Sequence, residues 1–190
     1  MSSCINHTQK WGYIHIPKTG GTTISNILNY TGKLEELQHN HSPINRFPSD
    51  YFIFTFVRNP FTRYISSYYH ETRKGRFKGT FKEFTKHTTK NLVFKPQVYF
   101  IKHGEEENRK VNFIGKYETL LNDINLVLEK TGNRKISQLP HLNRNPIYDK
   151  HPTLNQYDYY KLFYRDQYVI EYVREKYKDD FKEFGYDLDL

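Results

Sequence analysis

Lys18 stands before Thr19-Gly20-Gly21-Thr22-Thr23, and the apolar run Tyr13-Ile14-His15-Ile16 leads into it. A cation, two glycines and paired hydroxyls at a strand-to-helix junction are the ingredients of an oxyanion pocket. Glycines let backbone N–H groups converge, a helix N-terminus adds positive potential, and Lys18 adds a full charge. The order of residues narrows the chemistry. An ATP-cradling loop reads G-x-x-x-x-G-K-[ST], lysine after the glycines, and that pattern is absent from this chain. Taken alone, Lys18 also fits a surface lysine beside a turn. A second cation, Arg58, follows the run Tyr51-Phe52-Ile53-Phe54-Thr55-Phe56-Val57 and precedes Asn59-Pro60. The run suits a buried strand, and Pro60 suits the first turn of a helix. Arg58 is therefore expected at the C-terminal end of a strand, where open α/β sheets collect ligands. Ser66 falls on the following helix.

The loop Pro17-Lys18-Thr19-Gly20-Gly21-Thr22-Thr23 resembles the phosphosulfate-binding loop of sulfotransferases, whose donor is 3′-phosphoadenosine-5′-phosphosulfate (PAPS). The stretch Phe56 to Tyr68, with Arg58, Asn59, Pro60, Arg63 and Ser66, resembles the element of that family that grips the donor's 3′-phosphate. Phe81-Lys82-Glu83-Phe84, Gln97-Val98-Tyr99-Phe100, Phe113-Ile114-Gly115-Lys116-Tyr117-Glu118, Leu139-Pro140-His141-Leu142-Asn143 and Phe184-Gly185-Tyr186 follow in the same order. The chain is thus similar to a small soluble member of the carbohydrate sulfotransferases, Golgi-type and uronyl 2-O-like. The resemblance implies a P-loop NTPase-like sulfotransferase fold, and transfer of a sulfuryl group from PAPS to an acceptor hydroxyl by in-line displacement, releasing PAP.

It also implies roles. Lys18, Thr19, Gly20, Gly21, Thr22 and Thr23 would hold the 5′-phosphate, with Lys18 also meeting charge that builds on the leaving oxygen. Arg58 and Ser66 would hold the 3′-phosphate, Tyr117 would lie near the adenine, and Asn143 and Arg144 would belong to a loop closing over the nucleotide. His39-Asn40-His41 is similar to the His-x-His of uronyl 2-O-sulfotransferases. An imidazole of pKa about 6.5 suits removal of a hydroxyl proton at neutral pH. On that likeness His41 is the expected base and His39 its auxiliary; the plainer alternative is a pair of solvated loop histidines. No metal is required by such an arrangement, and neither histidine has a partner at a recognisable zinc spacing.

The acceptor is expected to be a glycan, with a nucleic acid not expected. Three other readings stay open: a small nucleotide or metabolite kinase, a basic anion- or nucleic-acid-binding module without catalysis, and a catalytically idle relative that only binds PAP or an acidic glycan. The kinase reading asks for a lysine after the glycines and a Mg²⁺-holding Asp; the strand ending at Val57 is followed by Arg58 instead.

These residues need elements to position them. Strands separated by helices predict an α/β fold, a mostly parallel sheet flanked by helices, in one domain over residues 1–190. The pattern places strands near Gly12 to Ile16, up to Val57, and over Val111 to Lys116. It places helices over Thr22 to about Thr31, Pro60 to Thr72, Phe81 to Lys90 and Leu120 to Lys130, with a last long helix starting after Pro152. In that helix Tyr160, Phe163, Tyr164, Ile170, Val173, Tyr177 and Phe181 form one apolar stripe. Aromatics make up 17% of the chain, and packing rather than base stacking is their expected job. Net charge is +8, a field that attracts anions. Arg73, Lys74, Arg76, Lys78, Lys82, Lys86 and Lys90 concentrate it, either as a landing surface for an anionic acceptor or as an ordinary solvated face. A single cysteine, a polar start and no apolar run near 20 residues lead to the expectation of a soluble, cytoplasmic protein.

Overall fold

The structure, a computed structural model, describes residues 2–36, 44–87, 91–102, 110–140 and 160–189. By their contacts the residues group into two compact units, Met1–Arg58 with Gln97–Asn143, and Asn59–Pro96 with Arg144–Leu190. Among the described residues the strands, all in the first unit, are β1 (Cys4–Asn6), β2 (Trp11–Ile14), β3 (Glu35–Glu36), β4 (Phe52–Val57) and β5 (Phe113–Lys116). The α-helices described are α1 (Gly21–Asn29), α2 (Pro60–Arg73), α3 (Val98–Lys102), α4 (Leu120–Lys130), α5 (Gln167–Lys176) and α6 (Lys178–Phe184).

Aromatic residues at every second position build the sheet of the first unit. Trp11, Tyr13, Phe54 and Phe56 share one face, where Tyr13 and Phe54 stack with centroids 5.5 Å apart. β2, β4 and β5 pair in parallel, Trp11 beside Phe52 and Val57 beside Lys116. β1 adds to β2 antiparallel, and β3 to β1, giving the order β3-β1-β2-β4-β5. The expected α/β architecture is present, with a parallel centre. The antiparallel edge was not expected, because strands of three and two residues are too short to show a period.

α1 and α4 cover the aromatic face. Ile24, Ile27 and Leu28 from α1, and Leu120, Ile124, Val127 and Leu128 from α4, lie at three- and four-residue steps and are all buried. Each such side chain contributes roughly 1.5–3 kcal/mol on burial. That packing fixes the axis of α1, and with it the direction of the helix N-terminus that Gly20 caps.

The second unit is helical and its core is aromatic. Asn59 caps α2, its side chain accepting from the Phe61 N–H at 2.9 Å, with Pro60 in the first turn. Phe61 meets Tyr164 and Phe181 edge-on at 5.0 and 5.1 Å. The Tyr164 hydroxyl donates to the Phe61 carbonyl at 2.7 Å.

Two expected helices are corrected here. Within the described part of Phe81 to Lys90, only a single 3-10 turn forms, Glu83–Lys86. Thr80 and Glu83 exchange the bonds of a capping box, but His87 is extended, and the β-branched Thr85 favours no further turn. The last helix is not continuous either. The Asp166 carboxylate accepts from the Tyr168 N–H at 2.9 Å and starts α5 afresh. Tyr177, at φ −117 and ψ 21, then separates α5 from α6. The apolar stripe survives the interruptions, since Tyr160, Tyr164, Val173, Tyr177 and Phe181 are all buried.

Candidate functional site

After Ile14 the chain leaves β2 and turns sharply into α1. Lys18 has φ 71 and Gly20 φ 89, both left-handed, a conformation that a lysine holds only under constraint. Thr19 supplies part of that constraint. It is fully buried, and its hydroxyl donates to the Ile16 carbonyl at 2.9 Å, so the side chain shapes the loop from inside.

The two glycines are required by their neighbours. A Cβ on Gly20 would sit 2.9 Å from the Tyr117 ring, and one on Gly21 would run into His15 Nε2. His15 therefore lies against the loop backbone, with its own N–H donating to Ser3 Oγ at 3.1 Å. α1 begins with no side-chain cap and no acidic residue in its first turn, so no carboxylate of that turn opposes the positive helix end. Thr22 and Thr23 are half-buried on that first turn. Burial holds the Tyr13 hydroxyl, on the strand leading in, well above its ordinary range.

Arg58 arrives from β4. Its Nη1 donates to the Lys18 carbonyl at 3.4 Å, and its guanidinium carbon lies 4.1 Å from the centroid of the Tyr117 ring. Tyr117 opens a 3-10 turn, Tyr117–Thr119, directly after β5. The turn is tied down by Asp123, whose carboxylate accepts from the Lys116 N–H at 2.6 Å and the Thr119 hydroxyl at 2.8 Å. Lys18, Gly20, Arg58 and Tyr117, up to 99 residues apart by their numbers (117 − 18), thus meet in one cluster of the first unit. A glycine loop, a helix N-terminus and a guanidinium oriented on a ring are the physical ingredients of an anion cradle.

Ser66 is half-buried on α2, in the second unit. His39, His41, Asn143 and Arg144 lie outside the described residues, as do His141 and Lys90. In the basic stretch, Arg76 is bound by the buried Glu71 at 2.7 Å and Lys82 by Asp166 at 2.7 Å, while Arg73, Lys74, Lys78 and Lys86 are exposed. Among the described residues no group of three or more His, Cys, Asp or Glu side chains gathers in metal-binding fashion. No helix among them is long and apolar enough to cross a membrane.

The sequence pattern gave Asp123 no part in the site, and it marked Gln97 within Gln97-Val98-Tyr99-Phe100 without a role. Gln97 is fully buried, and its side chain binds the Arg58 backbone at both ends. The available signal was a lone amide directly ahead of the apolar run Val98 to Ile101.

A family model described as Sulfotransferase family matches residues 2–187. No curated protein and no solved structure matches the chain.

Proposed function

Because the chain belongs to the sulfotransferase family, we propose that it transfers a sulfuryl group from PAPS to a hydroxyl of a carbohydrate acceptor. The observation that carries the donor reading is the meeting of Arg58 with the Lys18 loop, at 3.4 Å, over the face of Tyr117. Two cationic residues at one glycine loop suit a ligand bearing more than one phosphate better than a single small anion. The cradle fits such a ligand. Gly20 and Gly21 carry no side chain, so Tyr117 and His15 pack directly on the loop backbone, and no carboxylate from the first turn of α1 competes.

Bound in the cradle, PAPS supplies the sulfuryl group and a phosphate as leaving group. The protein's part is positioning and charge stabilisation. N–H groups from Gly20 to Thr23 hold the 5′-phosphate. The Lys18 ammonium meets negative charge as it grows on the oxygen that departs from sulfur. Arg58, steadied on the Tyr117 ring, binds the 3′-phosphate. His41 accepts the proton of the acceptor hydroxyl as that oxygen forms its bond to sulfur, with His39 as auxiliary. The field of a chain with net charge +8 favours an anionic glycan among possible acceptors.

A thermal-shift titration tests the donor. PAP at a hundredfold excess over its dissociation constant should stabilise the protein by about 2.7 kcal/mol, while ATP and ADP do little. Lys18→Ala and Arg58→Ala should each abolish most of the shift. Equal stabilisation by ATP would remove PAPS as the donor. For chemistry, labelled PAPS offered to a glycan panel should give transfer that His41→Ala lowers by roughly 10²–10⁴-fold with PAP binding unchanged. Full turnover in that variant would take His41 out of the base role.

A further inference from the structure

Arg58 lies one residue beyond the last pairing of the sheet, because Val57 beside Lys116 ends the β4–β5 ladder. A residue in that position has an N–H and a C=O that the ladder no longer satisfies, and each needs a partner. Gln97 supplies both. The Arg58 N–H donates to Gln97 Oε1 at 2.8 Å, and Gln97 Nε2 donates to the Arg58 carbonyl at 2.8 Å. One side-chain amide thereby closes on one residue, across its two flanking peptide groups, the paired bonds that a further strand would make. Gln97 is 0% exposed, so both bonds are formed out of reach of water. Its own place is fixed as well. Its carbonyl accepts from the Phe100 N–H at 3.0 Å and opens α3, which buries Val98, Phe100 and Ile101.

We propose that Gln97 is a positioning residue for the anion site, holding the Arg58 peptide in line with β4 so that the guanidinium lands on Tyr117 and beside Lys18. The proposal rests on the donor reading above. The amide grips the backbone of the very residue whose side chain carries the charge. A guanidinium at the end of a long arm magnifies any rotation of its own peptide, and bound-state geometry is sensitive to shifts of about 1 Å. Gln97 therefore acts through Arg58, and its effect belongs to the phosphate that Arg58 holds.

That selectivity gives the test. Isothermal titration of the full chain compares PAP with AMP, which lacks only the 3′-phosphate, and thermal melting checks that each variant folds. The wild-type protein should prefer PAP, and Arg58→Ala should lower PAP affinity roughly tenfold or more with AMP little changed. Gln97→Leu, which removes both bonds, should reproduce that loss roughly tenfold for PAP only. Gln97→Glu keeps the acceptor oxygen and should fall between. The Arg58→Ala/Gln97→Leu double variant should be no weaker for PAP than Arg58→Ala alone.

A parallel loss for PAP and AMP would make Gln97 merely structural and overturn the proposal, as would a Gln97→Leu protein with the wild-type preference. Additive losses in the double variant would overturn it too. Should Gln97→Leu fail to melt cooperatively, Gln97→Glu decides: a reduced preference for PAP supports the role, and an unchanged one overturns it. A wild-type protein that does not distinguish PAP from AMP overturns the donor reading and the role of Gln97 with it. A preference lost in Arg58→Ala but kept in both Gln97 variants overturns the role of Gln97 alone.

Discussion

Lys18 occupies a left-handed conformation at φ 71, which costs a non-glycine residue of order 1 kcal/mol. Lys18→Gly should therefore raise the melting temperature slightly while lowering PAP affinity. A variant that loses both stability and affinity would contradict the assignment of strain to that residue. Gly21 makes the opposite case. Gly21→Ala drives a methyl into His15 and should cost roughly 1–3 kcal/mol, with much of the loss recovered in the Gly21→Ala/His15→Ala double variant. An unrelieved double variant would mean that the His15 ring is not what limits the position. The loop was legible in sequence because lysine, glycine and threonine each have a distinct backbone or charge role there. What was not legible is the partner of each glycine. Tyr117 and His15 approach through the fold, from positions that no local pattern connects to Gly20 or Gly21.

Elements with a full amphipathic period are legible, and those without one are not. α4 follows the expected bounds because Leu120, Ile124, Val127 and Leu128 repeat over three turns. β1 and β3 offer three and two residues. Of the C-terminal stripe, Tyr160, Tyr164, Val173, Tyr177 and Phe181 are buried, while Phe163 and Ile170 are half-buried and Val169, outside the stripe, is buried. The stripe also concealed the restart at Asp166, since a cap is a single residue that a periodic pattern reads through. Asp166 caps α5 and also pairs with Lys82 at 2.7 Å. The Lys82 hydrogen bond holds its carboxyl below the ordinary range. A depressed carboxyl contributes stability that is present above its unfolded-state value and lost as pH falls through its folded-state value. Asp166→Ala should lower the melting temperature at neutral pH and flatten its decline below about pH 4. A decline as steep as that of the wild type would show that other carboxylates carry it.

Charge operates at the scale of the whole chain. With a net charge of +8, association with a bisphosphorylated nucleotide should be electrostatically steered and slow as salt rises, since the screening length shrinks from about 10 Å at 0.1 M to about 3 Å at 1 M. Stopped-flow rates for PAP between those salt concentrations check this, and a flat dependence would confine the attraction to the cradle itself. The composition made the sign of that field legible. Its distribution was not, because Arg76 and Lys82 are bound by Glu71 and Asp166, which lie outside the run of basic residues that marks the stretch. Cys4, on β1 opposite Tyr13, is the chain's single thiol and is buried. It turns that margin of the molecule into its own stopwatch. The pace at which an alkylating reagent modifies the sulfur reports how often β1 peels away, with no label added and no second sulfhydryl to confuse the count.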